Sequence, residues 1–310
     1  MSLRTIVQTL GGDLYDRGRR ANIPAPGHSA ADRSVSLLLQ DNRIIVHTFG
    51  DGDWKAVLDH LRAHQLIDAG NAPLSLANAA DVRRAADPPN GRERLASAQR
   101  LWEAGRPMAR TASERHCRLR GLAGELPGPD VLRHGPDTPV SVYRTGARTR
   151  PALLAAIRDA EGVLTAVEVT YLAPNGRRAE DLRLSRKTVG LAPGGCAVRL
   201  DPWAEEMLVG EGVFTTRSAS EWFGLPGWAL TSTRNLRVWT PPAGVRSVLI
   251  AADRGADGEA SAERLRRRLV QNEVAATVAL PPGVAGDWNE WSMGQQAGRR
   301  AETPAGAGAG

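Results

Sequence analysis

Glu211 stands between two glycines at the end of the short apolar run Met207–Val209, and Asp253 closes a second apolar run, Val248–Ala252, 42 residues further on. Two acids that each follow a buried strand meet at one rim when their strands are neighbours in a parallel sheet. Ligands in such sheets collect outside the carboxyl ends of the strands. A rim of oxygens without nitrogen or sulfur donors suits a hard cation such as Mg2+ or Mn2+. That cation neutralises phosphate oxygens during phosphoryl or nucleotidyl transfer. Acids after strands also serve as helix N-caps or solvated loop residues, so the spacing alone leaves both roles open.

The elements that must carry these acids are legible in the hydrophobic pattern. From residue 196 to about 292, apolar strand runs alternate with helical segments: EMLVGEG, TTRSASEWFG, PGWALTS, RSVLIAAD, DGEASAERLRRRLVQN and VAATVALPP. Apolar strands alternating with helices imply a parallel, four-stranded sheet covered on both faces, an α/β architecture. Residues 95–195 mix helices with strands and read as an α+β subdomain. ERLASAQRLWEAG and TASERHCRLRGL are amphipathic helices. PALLAAIRDAEGVLTAVEVTYLAPNGRR reads as two strands around Glu161-Gly162 with a second turn at Asn175-Gly176. Residues 1–68 hold a helical start, a strand pair turning at Asp41-Asn42, and the helix DWKAVLDHLRAHQLI, with Asp53 as its expected N-cap. Residues 69–94, with AADPPNGRE, read as a linker, and 293–310 as a low-complexity, disordered tail.

Composition narrows the function classes. The chain has 310 residues, 42% hydrophobic and 24% charged, which suits a soluble, multidomain protein. No apolar run approaches the ~20 residues of a membrane span, and the N-terminus has no signal-peptide core, so a cytoplasmic location is expected. Two cysteines, Cys117 and Cys196, exclude both a disulfide framework and a multi-cysteine zinc site. The net charge is +6, and lysine occurs only at 55 and 187. Guanidinium forks match phosphate well. An arginine excess is also what a GC-rich genome produces, so charge by itself does not decide for nucleic acid.

The stretches VGEGVFTTRSASEWFGLPGWAL, VLIAADRGADGEASAERL and ALPPGVAGDWNE together resemble the Toprim domain of bacterial primases, topoisomerases and some nucleases, most of all the primase-like proteins of phages, plasmids and integrated elements. Gly210-Glu211-Gly212 matches the first motif of that family, Asp253 the first aspartate of its Asp-x-Asp, Gly258 the glycine that opens the next helix, and Asp287-Trp288-Asn289 its late Asp-aromatic-Asn element. The second aspartate falls on Gly255. Asp257, two residues on, is either its substitute or the cap of the following helix. The resemblance implies a Mg2+ or Mn2+ centre with Glu211 as general base or ligand, Asp253 as principal ligand, and Asp257 or Asp287 as auxiliary.

The N-terminal stretch IPAPGHSAADRSVSLLLQDNRIIVHTFGDGDW resembles the zinc ribbon ahead of the catalytic core in replicative primases. His28 keeps the histidine, Ala25 stands where a cysteine would be, and Thr48-Phe49-Gly50-Asp51 replaces Cys-Phe-Gly-Cys, so no zinc is expected. Packing of Val35, Leu37, Leu39, Ile45, Val46, Phe49 and Trp54 is left to hold the ribbon. Its surface, with Arg33 and Arg43, is either vestigial or in touch with single-stranded DNA. In primases the middle subdomain lines a basic groove for the template. Arg106, Arg110, Arg115, Arg118 and Arg120 are either that groove or a solvated helix face. Trp288, beside Asp287, is the tryptophan worth testing as a base-stacking platform.

Three functions follow. The first is metal-dependent, primase-type nucleotidyl transfer on a single-stranded DNA template, using nucleotides. The second is a catalytically degenerate nucleic-acid-binding accessory of a mobile element, and the third a Toprim nuclease. No G-x-x-x-x-G-K-[ST] occurs, so the chain lacks a helicase motor of its own, and the resemblance implies a separate helicase partner.

Overall fold

A computed structural model describes residues 3–29, 32–49, 53–74, 90–143 and 146–302. The chain forms two compact units, Met1–Asn90 and Gly91–Gly310.

The first unit contains α1 (Arg4–Leu10), β1 (Asp13–Tyr15), β2 (Arg20–Ile23), β3 (Val35–Gln40), β4 (Arg43–Thr48) and α2 (Trp54–Ala63). The strands form an antiparallel sheet in chain order. Asp41 and Asn42 both have positive φ, 48° and 60°, which gives the β3–β4 turn the twist a tight hairpin needs. Strict alternation buries Val35, Leu37 and Leu39 against Ile6, Leu58 and Leu61. Asp53 caps α2 by accepting the Lys55 N–H at 2.8 Å. The strands β1 and β2 are too short and too glycine-flanked to stand out in the sequence. Ile45, Phe49 and Trp54, expected inside the ribbon, are 48%, 54% and 49% exposed; Ile45 lies on the strand face opposite the core, and Phe49 and Trp54 flank the end of the sheet. Gly50 and Asp51 of the ribbon motif, and most of the 69–94 linker, lie outside the described residues.

Asp32 organises the loop between β2 and β3. Its carboxylate accepts the Ser34 hydroxyl at 2.6 Å, the Ala25 N–H at 2.9 Å and the Ser34 N–H at 3.2 Å, and His28 Nδ1 lies 3.2 Å away. These donors, led by the Ser34 hydroxyl, hold the Asp32 carboxyl down at about 2.

The second unit opens with α3 (Gly91–Glu103) and α4 (Ala112–Leu119), followed by β5 (Leu132–Pro139), β6 (Thr149–Arg158), β7 (Leu164–Tyr171) and β8 (Arg186–Gly190). These four strands make an antiparallel meander. Helix α3 starts inside the expected linker, because the apolar stripe Ala98, Leu101 and Trp102 packs on the sheet. The run Ala152–Ile157 alternates strictly between two cores. Ala152, Leu154 and Ala156 face α3, while Leu153, Ala155 and Ile157 face Val213 and Ala229 further along the chain. Burial on both faces explains why the run is apolar throughout.

The chain then enters β9 (Val198–Arg199), β10 (Glu206–Gly210), α5 (Val213–Phe223), β11 (Gly227–Ala229), α6 (Thr233–Leu236), β12 (Ser247–Ala251), α7 (Ala256–Gln271), β13 (Ala275–Ala279) and α8 (Trp288–Glu302). The sheet order is β13-β12-β10-β11-β9. Four strands are parallel, as the alternating pattern implies, and β9 adds an antiparallel edge beside β11. Two-residue β9 is too short to carry a strand signature. Helix α8 continues to Glu302, past residue 293 where a disordered tail is expected. Its first turns are anchored by buried Trp288 and Asn289, and the helix-forming residues that follow propagate it.

Candidate functional site

The strand order settles the geometric question raised by the two acids. β10 and β12 are adjacent and parallel, with Gly210 opposite Ala251, so Glu211 and Asp253 emerge at the same end of neighbouring strands. Both line a cavity of about 140 Å³, together with Asp287, Thr215, Thr231 and the start of α5 at Gly212–Phe214. Two glycines of the motifs are steric necessities. A Cβ on Gly210 would lie 2.7 Å from Thr216 Oγ1, and one on Gly258 would lie 2.6 Å from the Asp253 carbonyl oxygen, so α7 seats directly on the Asp253 backbone. Gly255 differs: its φ is +120° and a Cβ there would meet nothing.

The cavity is strongly acidic. Burial raises the Glu211 carboxyl, helped by Asp257 and opposed by Arg186 and a hydrogen bond from the Thr233 N–H. Burial, then the charges of Glu211 and Asp287, push Asp253 up to about 7, against a donated hydrogen bond from the Thr215 hydroxyl. Asp253 Oδ1 is buried and has no hydrogen-bond partner. A buried carboxylate oxygen without a donor is costly unless it is protonated or meets a cation. The residues present therefore fit a hard divalent cation.

Of the four acids expected as ligands, Glu211, Asp253 and Asp287 line the cavity. Asp257 does not line the cavity; it is exposed and paired with Arg237. It is not the cap of α7 either, because the exposed Gly255 N–H donates to Glu259 Oε1 at 3.1 Å instead. Asp287 lines the cavity, while one of its oxygens accepts the Glu290 N–H at 2.7 Å at the head of α8. Among the described residues, no three His, Cys, Asp or Glu side chains converge tightly enough to enclose a metal ion as they stand.

Two residues that sequence reasoning missed complete the cavity wall, Glu168 on β7 and Arg186 on β8. The register pairs Thr170 with Arg186 and Glu168 with Thr188, so both side chains share one face of the meander. Ala166, on that same face of β7, belongs to the core that includes Val213 and Ala229. Burial raises the Glu168 carboxyl, and Arg186 opposes the rise. The available signal was a lone carboxylate in AVEVTY, a run otherwise fit for burial on both faces.

The remaining candidates scatter. Arg120, the C-cap of α4, enters the cavity with its guanidinium 4.6 Å over the Phe214 ring and its Nε donating to Asn289 Oδ1 at 2.6 Å. Asn289 is fully buried, and its Nδ2 donates to the Arg120 carbonyl at 2.7 Å and to Ser218 Oγ at 3.0 Å. Arg118 is not free for a template: it donates to the carbonyls of Leu122 and Gly124, both at 2.7 Å. Arg115 lies along Gly176 with Nη1 on the Pro174 carbonyl at 3.3 Å, and Arg106 and Arg110 are exposed. Trp288 is no stacking platform. It is 2% exposed, donates from Nε1 to the Ala279 carbonyl at 3.3 Å, and packs edge-on against Phe223 and Trp291. The Asp-Trp-Asn element thus has three distinct duties: one residue at the cavity, one in the core, one clamping Arg120.

Residues 206–299 match the Toprim domain family, and residues 92–200 match a domain of unknown function, DUF7146. Among curated proteins, none matches the chain. Solved structures similar to it include the primase fragment of the bacteriophage T7 primase-helicase protein, at 14% identity and a TM-score of 0.42, covering 91% of this chain and 97% of that one. The zinc-binding and RNA polymerase domains of Aquifex aeolicus primase are similar at 12% identity and a TM-score of 0.45, covering 96% and 81%. No helix among the described residues is long and apolar enough to cross a membrane. The C-terminal part of the chain is a Toprim domain.

Proposed function

We propose that this Toprim-domain protein is a primase-like nucleotidyltransferase that joins nucleotides on a single-stranded DNA template. One observation carries the reading: Glu211 and Asp253 end adjacent parallel strands and share an acidic cavity in which a buried Asp253 oxygen lacks any donor. Glu211 and Asp253 would hold Mg2+ or Mn2+, with Asp287 beside them. When bound, that cation neutralises phosphate oxygens and polarises phosphorus. The chain's own groups do the rest. The Thr215 hydroxyl favours the ionised form of Asp253, and the Thr233 N–H that of Glu211. The start of α5, which has no side-chain cap, presents backbone N–H groups at the cavity wall, where phosphate is favoured. Arg120, held against Phe214 by Asn289, offers a fixed guanidinium. Exposed Arg106, Arg110 and Arg115 are the candidates for template contact, and a separate helicase is the expected partner.

Primer synthesis on single-stranded DNA with labelled nucleotides and Mn2+ tests the reading. Product is expected from the native chain, with a loss of roughly 100-fold or more in Glu211→Gln. A second reading, nucleic-acid binding without catalysis, is favoured by the missing side chain at Gly255 together with the capture of Asp257 by Arg237. Retained DNA binding without any product would establish it, and strand cleavage in place of synthesis would mark a nuclease.

A further inference from the structure

Arg186 reaches the acidic cavity from outside the Toprim domain. It sits on β8 at the edge of the meander, on the same face as Glu168. Among the described residues, no hydrogen bond or ion pair engages its guanidinium. Its charge nevertheless favours the ionised forms of Glu168, Glu211 and Asp253 together. The opposite wall is short of acid, because Gly255 has no side chain and Asp257 is turned to Arg237. The cavity is lined by the carboxylates of Glu168, Glu211, Asp253 and Asp287 and the guanidiniums of Arg120 and Arg186. With all of these ionised the lining carries a formal −2, which one divalent cation neutralises and two would overshoot.

Sites that use two metal ions place the second to clamp a phosphoryl oxygen. A guanidinium performs the same electrostatic task, with bidentate geometry on phosphate and no carboxylate cage of its own. We propose that Arg186 stands in for a second divalent cation: the cavity takes one Mg2+ or Mn2+, and a phosphate group of the incoming ligand bridges that ion to the Arg186 guanidinium. This rests on the metal-site reading above.

The test is titration of the full-length chain with Mn2+, by calorimetry and by spin resonance, followed by titration with inorganic tripolyphosphate at saturating Mn2+. The native protein is expected to bind a single Mn2+, which Glu211→Gln loses. Arg186→Gln keeps that ion at equal or tighter affinity, since a like charge has gone, but binds tripolyphosphate roughly 10-fold or more weakly. Arg186→Lys recovers part of that loss. Two strong Mn2+ sites in the native chain overturn the proposal, as does weaker Mn2+ binding in Arg186→Gln and Arg186→Lys alike. Native protein that binds no Mn2+ removes the metal-site reading and the proposal with it. One Mn2+ lost in Glu211→Gln, with tripolyphosphate binding unchanged in Arg186→Gln, removes the Arg186 role alone.

Discussion

Asp253 carries a carboxyl that burial and its neighbours Glu211 and Asp287 push up to about 7. A carboxyl held above its unfolded value binds its proton preferentially in the folded chain. Its contribution is therefore full below about pH 4 and is lost as pH rises through about 7. Metal-free protein is expected to lose stability across that window, and Asp253→Asn to flatten the dependence and raise stability at pH 8 by about 1–3 kcal/mol, read from urea midpoints at each pH. Mn2+ should stabilise the native chain and leave Asp253→Asn unmoved. Asp32 runs the other way. Its carboxyl is held at about 2 by Ser34 and backbone donors, so its contribution is present above about pH 4 and fades as pH falls through about 2. Asp32→Ala is expected to speed amide exchange in β2 and β3 of the first unit. Glu211 and Asp253 were legible because each ends an apolar run in the same domain. Glu168 and Arg186 were not, since their role follows from which face of one sheet meets the end of another, and no spacing within a single segment encodes that.

The head of α8, Asp287 to Asn289, shows how one short segment serves structure and site at once. Asp287 faces the cavity, Trp288 fills the core between Phe223 and Trp291, and Asn289 clasps Arg120 through both its own amide and the Arg120 carbonyl. Removing Asn289 leaves buried partners unpaired, which costs about 1–3 kcal/mol. Asn289→Ala is expected to show that loss in chemical denaturation and, through a loosened Arg120, weaker tripolyphosphate binding with Mn2+ affinity retained. Trp288→Ala should cost about 3–5 kcal/mol with no selective effect on DNA affinity, the opposite of what a stacking platform would give. The helix itself was hidden behind the alanine–glycine composition of the chain end, whereas β6 and β7 declared themselves by apolar runs around Glu161-Gly162, where the Gly162 N–H closes a turn on the Asp159 carbonyl.

Across the whole chain, the net charge of +6 is carried almost entirely by arginine. If the exposed guanidiniums contact phosphates, affinity for single-stranded DNA should fall linearly on a log–log plot against salt, with a slope of about −0.7 per contact; a flat plot would refute a phosphate-based interface. The parallel core was readable from alternation alone, yet the β9 edge strand was not. That strand has a practical consequence. Residues 198–199 fall within the stretch matched to the domain of unknown function, but they hydrogen-bond to β11 and close the rim of the Toprim sheet. A fragment begun at the Toprim match, residue 206, would bare the flank of β11, and such naked borders recruit other chains. Recombinant pieces cut at that junction should precipitate or form oligomers, whereas a cut ahead of Cys196 would keep the selvedge sewn.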